Sequence, residues 1–346
     1  MLTLLPLLTA LSSCPVAEAP LTVEVNERTR SVVLRTASVA LPAGGHGYGH
    51  QESEGYHQHA AITPLAPFTW PVSGWARGFQ LRVFDCNGKE VSKSRLHHVL
   101  VLHMERRELM FPVYERIIAL GQETEDISMP RGIGLPISKG APLGLLAAWM
   151  PAEHEPEQVY LELTIPYLPA NTTPRPVDVI PLGLDVRFEP GEGASYEIPV
   201  GRSTREREFE MPVDGKMLLA GGHLHQYATG MTLTDVATGD VLIDLKPKLD
   251  ANGQVAGVDR KLYGVSGSGL KLRSGRRYRL SVTYDNPTGR VIPGAAMGIM
   301  GGLFSPKDLD RWPALDKSSA EFDRDVRMFE RNGFITPASL RGSSPR

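Results

Sequence analysis

The sequence predicts an all-β fold: two tandem jelly-roll β-sandwich domains followed by a short helical tail. Three observations carry that expectation. Short segments in which apolar and polar residues alternate recur along most of the chain, the pattern of half-buried strands. Glycine (35 residues) and proline (28) are plentiful, and the turns between many short strands need both. A length of 346 residues exceeds one small sandwich and suits two domains that each bury a core.

The chain opens on "MLTLLPLLTALSSC", an apolar run ending in Leu11-Ser12-Ser13-Cys14. This resembles a bacterial lipoprotein cleavage box, in which Cys14 becomes the lipidated first residue of an exported, envelope-anchored protein. No lysine or arginine precedes the run, a departure from an ordinary export signal. No later stretch has the ~18 continuous apolar residues of a membrane span, so the membrane is expected to be reached only through Cys14. Cys86 is the one other cysteine, which argues against a disulfide framework.

Strands are expected at "LTVEVNE", "SVVLRTASVAL", "RGFQLRVFD", "HHVLVLH", "PLGLLAAWM" and "VYLELTIPYL" in a first domain spanning 22–175. A second domain, 184–305, takes "LDVRF", "REFEMPV", "KMLLAGGHLH", "GMTLTDV", "RRYRLSVTYD" and "MGIMGGLF". Between them the proline-rich "IPYLPANTTPRPVDVIPLG" reads as a linker or crossover, with the boundary at 174–183. Two helices are expected, one at "PVYERIIALG" (112–121) and one in the charged tail 306–346, where it would lie solvated on the surface. A net charge of −2 with 22% charged residues supplies no basic field for nucleic acid. Partners are therefore expected to be small molecules or proteins.

Histidine placement carries the chemistry. In "SRLHHVLVLH" (94–103), neighbours on a regular pleat point to opposite faces, so His97 and His98 meet one ion only where the strand ends or bulges. His103 shares a face with His97 but stands roughly 20 Å away. In "LLAGGHLHQYATG", His223 and His225 are two apart and leave the same face with bases ~6.6 Å apart, a span two imidazoles can close on one ion. The bland alternatives are a surface turn for the first pair and a polar edge for the second. Met297 and Met300 follow in "AAMGIM"; a thioether beside imidazoles favours copper over zinc, although methionine in an apolar strand is commonly core filler. The loop "GGHGYGHQESEGYHQH" (44–59) holds His46, His50, His57 and His59, either a surface loop or a metal-collecting one.

The order of these motifs resembles the copper type II ascorbate-dependent monooxygenases, the family of peptidylglycine alpha-hydroxylating and dopamine beta-monooxygenases. "LHHVLVLHME" is similar to its His-His strand, "MPRGIGLPISKGAPLGLLAAWMP" to its segment running from a glycine turn to the next copper-binding strand, and "GGHLHQYATGM" to its His-x-His strand. The resemblance runs in order from about Val32 to Phe304. It implies two facing jelly rolls. One copper, on His223, His225 and Met297, would bind oxygen and hydroxylate a C–H bond; a second, with His97 and His98 as two of its three histidines, would supply an electron. His103 would be a bystander.

Two departures matter. Trp149 falls where the family has its third electron-site histidine, and indole is no substitute for imidazole; His154, or one of His46, His50, His57 and His59, would have to replace it. Gly221 falls where the peptide-hydroxylating member has an arginine for its substrate's carboxylate, which argues against a glycine-extended peptide.

The expected function is thus that of a copper-dependent monooxygenase, with one or two copper ions, a small-molecule substrate, O2 and an external electron donor. The alternative is a copper carrier or sensor on the same scaffold, handing copper to a trafficking partner. A third reading is an interaction module that uses no metal.

Overall fold

The computed structural model describes residues 19–44, 59–121, 124–264 and 268–337. These form two β-sandwiches, with one α-helix, Ala320–Arg331, after the second. In the first sandwich a ten-stranded sheet is built around the long Glu157–Pro169 strand, which pairs with Ser31–Thr36 on one side and Gly78–Asp85 on the other. The facing sheet has four antiparallel strands in the order Ala61–Thr69, Pro142–Trp149, Leu96–Arg107, Tyr114–Gly121. Alternation explains how they close on each other: Val99, Val101, Leu143, Leu145, Ala147 and Trp149 from the four-stranded sheet meet Leu81, Val83, Leu161 and Leu163 from the larger one.

In the second sandwich, a five-stranded sheet contains Ile180–Asp185, Gly298–Pro306 and Gly215–Leu224 in that order. It faces the four-stranded sheet Gly201–Glu210, Arg277–Asn286, Ala228–Asp235, Val241–Leu245. Every second residue of Arg277–Asn286, from Tyr278 through Leu280, Val282 and Tyr284 to Asn286, is buried, as a period of two demands.

The sandwiches are not independent. Leu109, Phe111 and Val113, which join two strands of the first sandwich, insert into the core of the second, and Phe111 meets Phe188 edge to face at 4.8 Å. Charges follow them into the junction: Arg106 pairs with Glu115, and Arg116 with Glu108 at 3.5 Å.

Two sequence expectations need correction. Residues 114–121 are a strand, not a helix. Tyr114 packs against the outer layer while Ile117, Ile118 and Leu120 join the inner core. A strand buried on both faces shows little alternation, so its apolar spacing imitates a helix. The tail helix exists but is not merely solvated: Phe322 and Asp325 are buried, and Phe322 joins Leu65, Leu102, Met104, Tyr114 and Leu146 on the outer face of the four-stranded sheet. No helix among the described residues is long and apolar enough to cross a membrane. Cys86 is disulfide-bonded. Cys14, His46, His50 and His57 lie outside the described residues.

Candidate metal centres

His223 is the penultimate residue of Gly215–Leu224, and His225 follows that strand's end. Leu224 between them is buried in the second core, so the pleat turns both imidazoles the other way. Gly222 lets the strand sit close to its neighbours, since a Cβ there would lie 2.4 Å from Met231 Cε and 2.5 Å from the Ile299 carbonyl oxygen. The two Nε2 atoms approach to 2.9 Å.

Hydrogen bonds orient this pair. His225 Nδ1 lies 2.8 Å from the Ala295 carbonyl oxygen. A carbonyl only accepts, so Nδ1 carries the proton and the Nε2 lone pair faces His223. The Tyr284 hydroxyl accepts from the backbone N–H of His225 at 3.3 Å and of Met297 at 3.1 Å, and donates to the Met297 carbonyl. Burial pushes its phenol pKa up, which keeps that donor protonated. One oxygen thereby ties the main chains of His225 and Met297 together. Met297 itself occupies the break between Ile292–Ala296 and Gly298–Pro306 and is half-buried. Met300 is enclosed in the core opposite Gly222, the filler role.

The second centre depends on a bulge. Ala148 pairs with His98 while Trp149 pairs with Leu96, so His97 is the extra residue of a β-bulge. This breaks the alternation that would otherwise send adjacent side chains apart. The His97 and His98 Nδ1 atoms lie 2.9 Å apart. His59 reaches them from just ahead of Ala61–Thr69, the strand on the far side of Pro142–Trp149, where the Ala60 N–H donates to the Trp149 carbonyl at 2.9 Å. Its ring centroid is 5.0 Å from that of His97 and 5.5 Å from that of His98. Trp149 is fully buried, and its Nε1 donates to Thr63 Oγ1 at 2.9 Å.

Close rings are not yet a coordination sphere. Among the described residues no three His, Cys, Asp or Glu side chains converge ready to hold an ion, so the trio needs ring rotation to do so. His154 is exposed beside Glu157, with no ring contact to the pair among the described residues. His103 stands apart along the strand, and burial, reinforced by Arg106, pushes its pKa down to about 4. It is therefore neutral at neutral pH.

Near Gly221, the nearest atom to an added Cβ would be Arg260 Cγ at 3.6 Å, and the Arg260 guanidinium pairs with Glu125 at 3.3 Å. A groove of about 720 Å³ lined by Lys216, Leu218, Lys271, Arg273 and Lys307 lies elsewhere. Lys216 and His223 are at opposite ends of one strand, roughly 23 Å apart at ~3.3 Å per residue, so the groove does not contain the histidines.

Sequence reasoning missed Ala295 and Tyr284. Tyr284 obeys the inward alternation of its strand and reads as core, while a backbone carbonyl has no sequence signature. No family model matches the chain, and no curated protein matches it. Among solved structures, the major capsid protein P2 of bacteriophage PM2 is similar over 79% of this chain and 99% of its own, at 10% identity and a TM-score of 0.32. The C-terminal globular domain of an oligosaccharyltransferase from Pyrococcus abyssi is similar over 69% and 51%, at 13% identity and a TM-score of 0.14. Likenesses this slight carry no argument about function.

Proposed function

We propose that the chain is an exported copper-dependent monooxygenase that hydroxylates a C–H bond of a small substrate with O2 and an external electron donor. The observation that supports this best is His59 beside His97 and His98, because a two-site enzyme needs a third histidine and the Trp149 position does not provide one. In this reading His59, His97 and His98 hold one ion, and His223, His225 and Met297 the other.

The donor types suit copper. Two imidazole nitrogens on one ion at ~2.0–2.1 Å and a tetrahedral angle stand about 3.3 Å apart, a small opening from the 2.9 Å separations of both pairs. Imidazole with thioether is a combination that suits Cu(I). Copper, when bound, supplies one-electron redox chemistry and an open coordination position. Hydroxylation consumes O2, two electrons and two protons and yields the alcohol and water; the external donor provides the electrons.

The protein's own part is orientation. The Ala295 carbonyl holds the proton on His225 Nδ1 and so keeps Nε2 available, the usual role of a hydrogen-bond partner behind a ligand. The Tyr284 hydroxyl holds the main chains carrying His225 and Met297 in register. Cys86, as a disulfide, suits an oxidising compartment.

A second reading, copper binding for delivery or sensing, is favoured by one observation: the groove lined by Lys216, Leu218, Lys271, Arg273 and Lys307 has no histidine in its lining. Oxygen uptake separates the two. Copper-loaded protein with ascorbate should consume oxygen above free copper, and His59→Ala should abolish that uptake while leaving the His223 site loaded. Stoichiometric copper without uptake for any C–H substrate class tested would favour the carrier.

A further inference from the structure

We infer that Phe334 is a positioning residue for the His59–His97–His98 group, and that the segment from the tail helix to Ile335 is its cover. The residues concerned lie outside the motifs that suggested copper. Only the copper arm of the test below rests on the functional reading.

The tail is built to dock. Ser319 caps the Ala320–Arg331 helix by accepting from the Phe322 N–H, with Glu321 and Asp323 in the first turn, both favourable at a helix N-terminus. Phe322 meets Tyr114 edge to face at 4.9 Å, fastening the helix to the outer face of the four-stranded sheet. Beyond the helix, Gly333 adopts φ 75°, a left-handed turn that glycine takes without strain. The chain doubles back, and the N–H groups of Phe334 and Ile335 both reach the Phe329 carbonyl, at 2.8 and 3.2 Å. The reversal delivers Phe334 to the sheet edge, where its carbonyl accepts from the Leu65 N–H at 2.7 Å.

Its side chain ends on the histidines. The Phe334 ring centroid lies 5.5 Å from those of both His59 and His98, tilted by 68° and 34°, and 5.9 Å from Phe329 behind it. Phe334 is 6% exposed. An aromatic ring pinned from behind and touching two imidazoles restricts their rotation and displaces water from that side. Since the trio must rotate to take an ion, Phe334 sets which rotations are open and how readily a chelator or small reductant reaches the group.

The test uses the full chain as wild type, Phe334→Ala and Phe334→Leu. In metal-free protein, diethylpyrocarbonate modification is followed residue by residue by peptide mass mapping. Phe334→Ala is expected to speed modification of His59 and His98 about tenfold, the scale of one aromatic contact, with His223 and His225 unchanged. Phe334→Leu, which restores apolar cover without the ring, is expected to give an intermediate rate. An unchanged rate at His59 and His98 overturns the inference, as does an equal rise at all four histidines in both variants. If Phe334→Ala alone loses its fold, Phe334→Leu decides: a rise confined to His59 and His98 supports the cover, and no rise refutes it. Transfer of Cu(I) to bathocuproine disulfonate forms the second arm. Failure of the wild type to hold copper on the trio would sink the functional reading while leaving the modification result to stand or fall on its own.

Discussion

Tyr284 shows how much of a site can rest on a residue that touches none of its ligating atoms. Its hydroxyl satisfies three backbone groups of His225 and Met297, and the residue is 2% exposed, so water has little access to replace it. Tyr284→Phe keeps the ring and strands those groups. The expected result is a stability loss of about 1–3 kcal/mol together with weaker copper binding at the His223 site only, checked by thermal unfolding and competitive titration. Equal weakening at both sites would contradict the role. The alternation of "LLAGGHLH" made His223 and His225 legible as a pair, and geometry alone stated that His97 and His98 needed a bulge. The bulge itself was not legible, because it is a property of register against the Pro142–Trp149 strand. His59 was one of four histidines in a glycine-rich loop; only its seat beside Trp149 distinguishes it.

At the scale of elements, the misread strand 114–121 and the tail helix share a cause. Both lie against the layer formed by Leu65, Leu102, Met104 and Leu146, and a third layer over a sheet erases the polar face by which a sandwich strand is normally read. The same layering buries charge. Glu108, Arg116, Asp185 and Asp325 interact at the junction, with Glu115 close by, and burial raises Glu108 to about 7 against the pull of Arg116. A carboxyl that titrates higher when folded than unfolded means the folded state binds the extra proton. Its contribution is therefore present at low pH and lost as pH rises from about 4.5 through about 7. Wild-type Tm should fall between pH 5 and pH 8, and Glu108→Gln should flatten that fall. A variant with the wild-type slope would show that Glu108 is not the titrating group.

For the whole molecule, the insertion of Leu109, Phe111 and Val113 into the second core makes the two sandwiches one cooperative unit. Calorimetry should show a single unfolding transition. Phe111→Ala, a large-to-small core change of about 3–5 kcal/mol, should lower the Tm and separate two transitions. A single transition at a lower Tm would mean the hairpin stabilises without coupling. Tandem sandwiches were readable from periodicity and turns; this interlock was not, since two apolar residues just ahead of a predicted helix and one inside it carry no mark of which core they enter.

Copper content tests the central claim most directly. The full chain would be purified, loaded and measured as wild type, as His97→Ala/His98→Ala and as His223→Ala/His225→Ala, with His59→Ala alongside. Two coppers per wild-type chain are expected, falling to one in each variant, with His59→Ala matching the His97/His98 variant. A single copper lost only with His223 and His225, or no copper at all, would contradict a two-site enzyme.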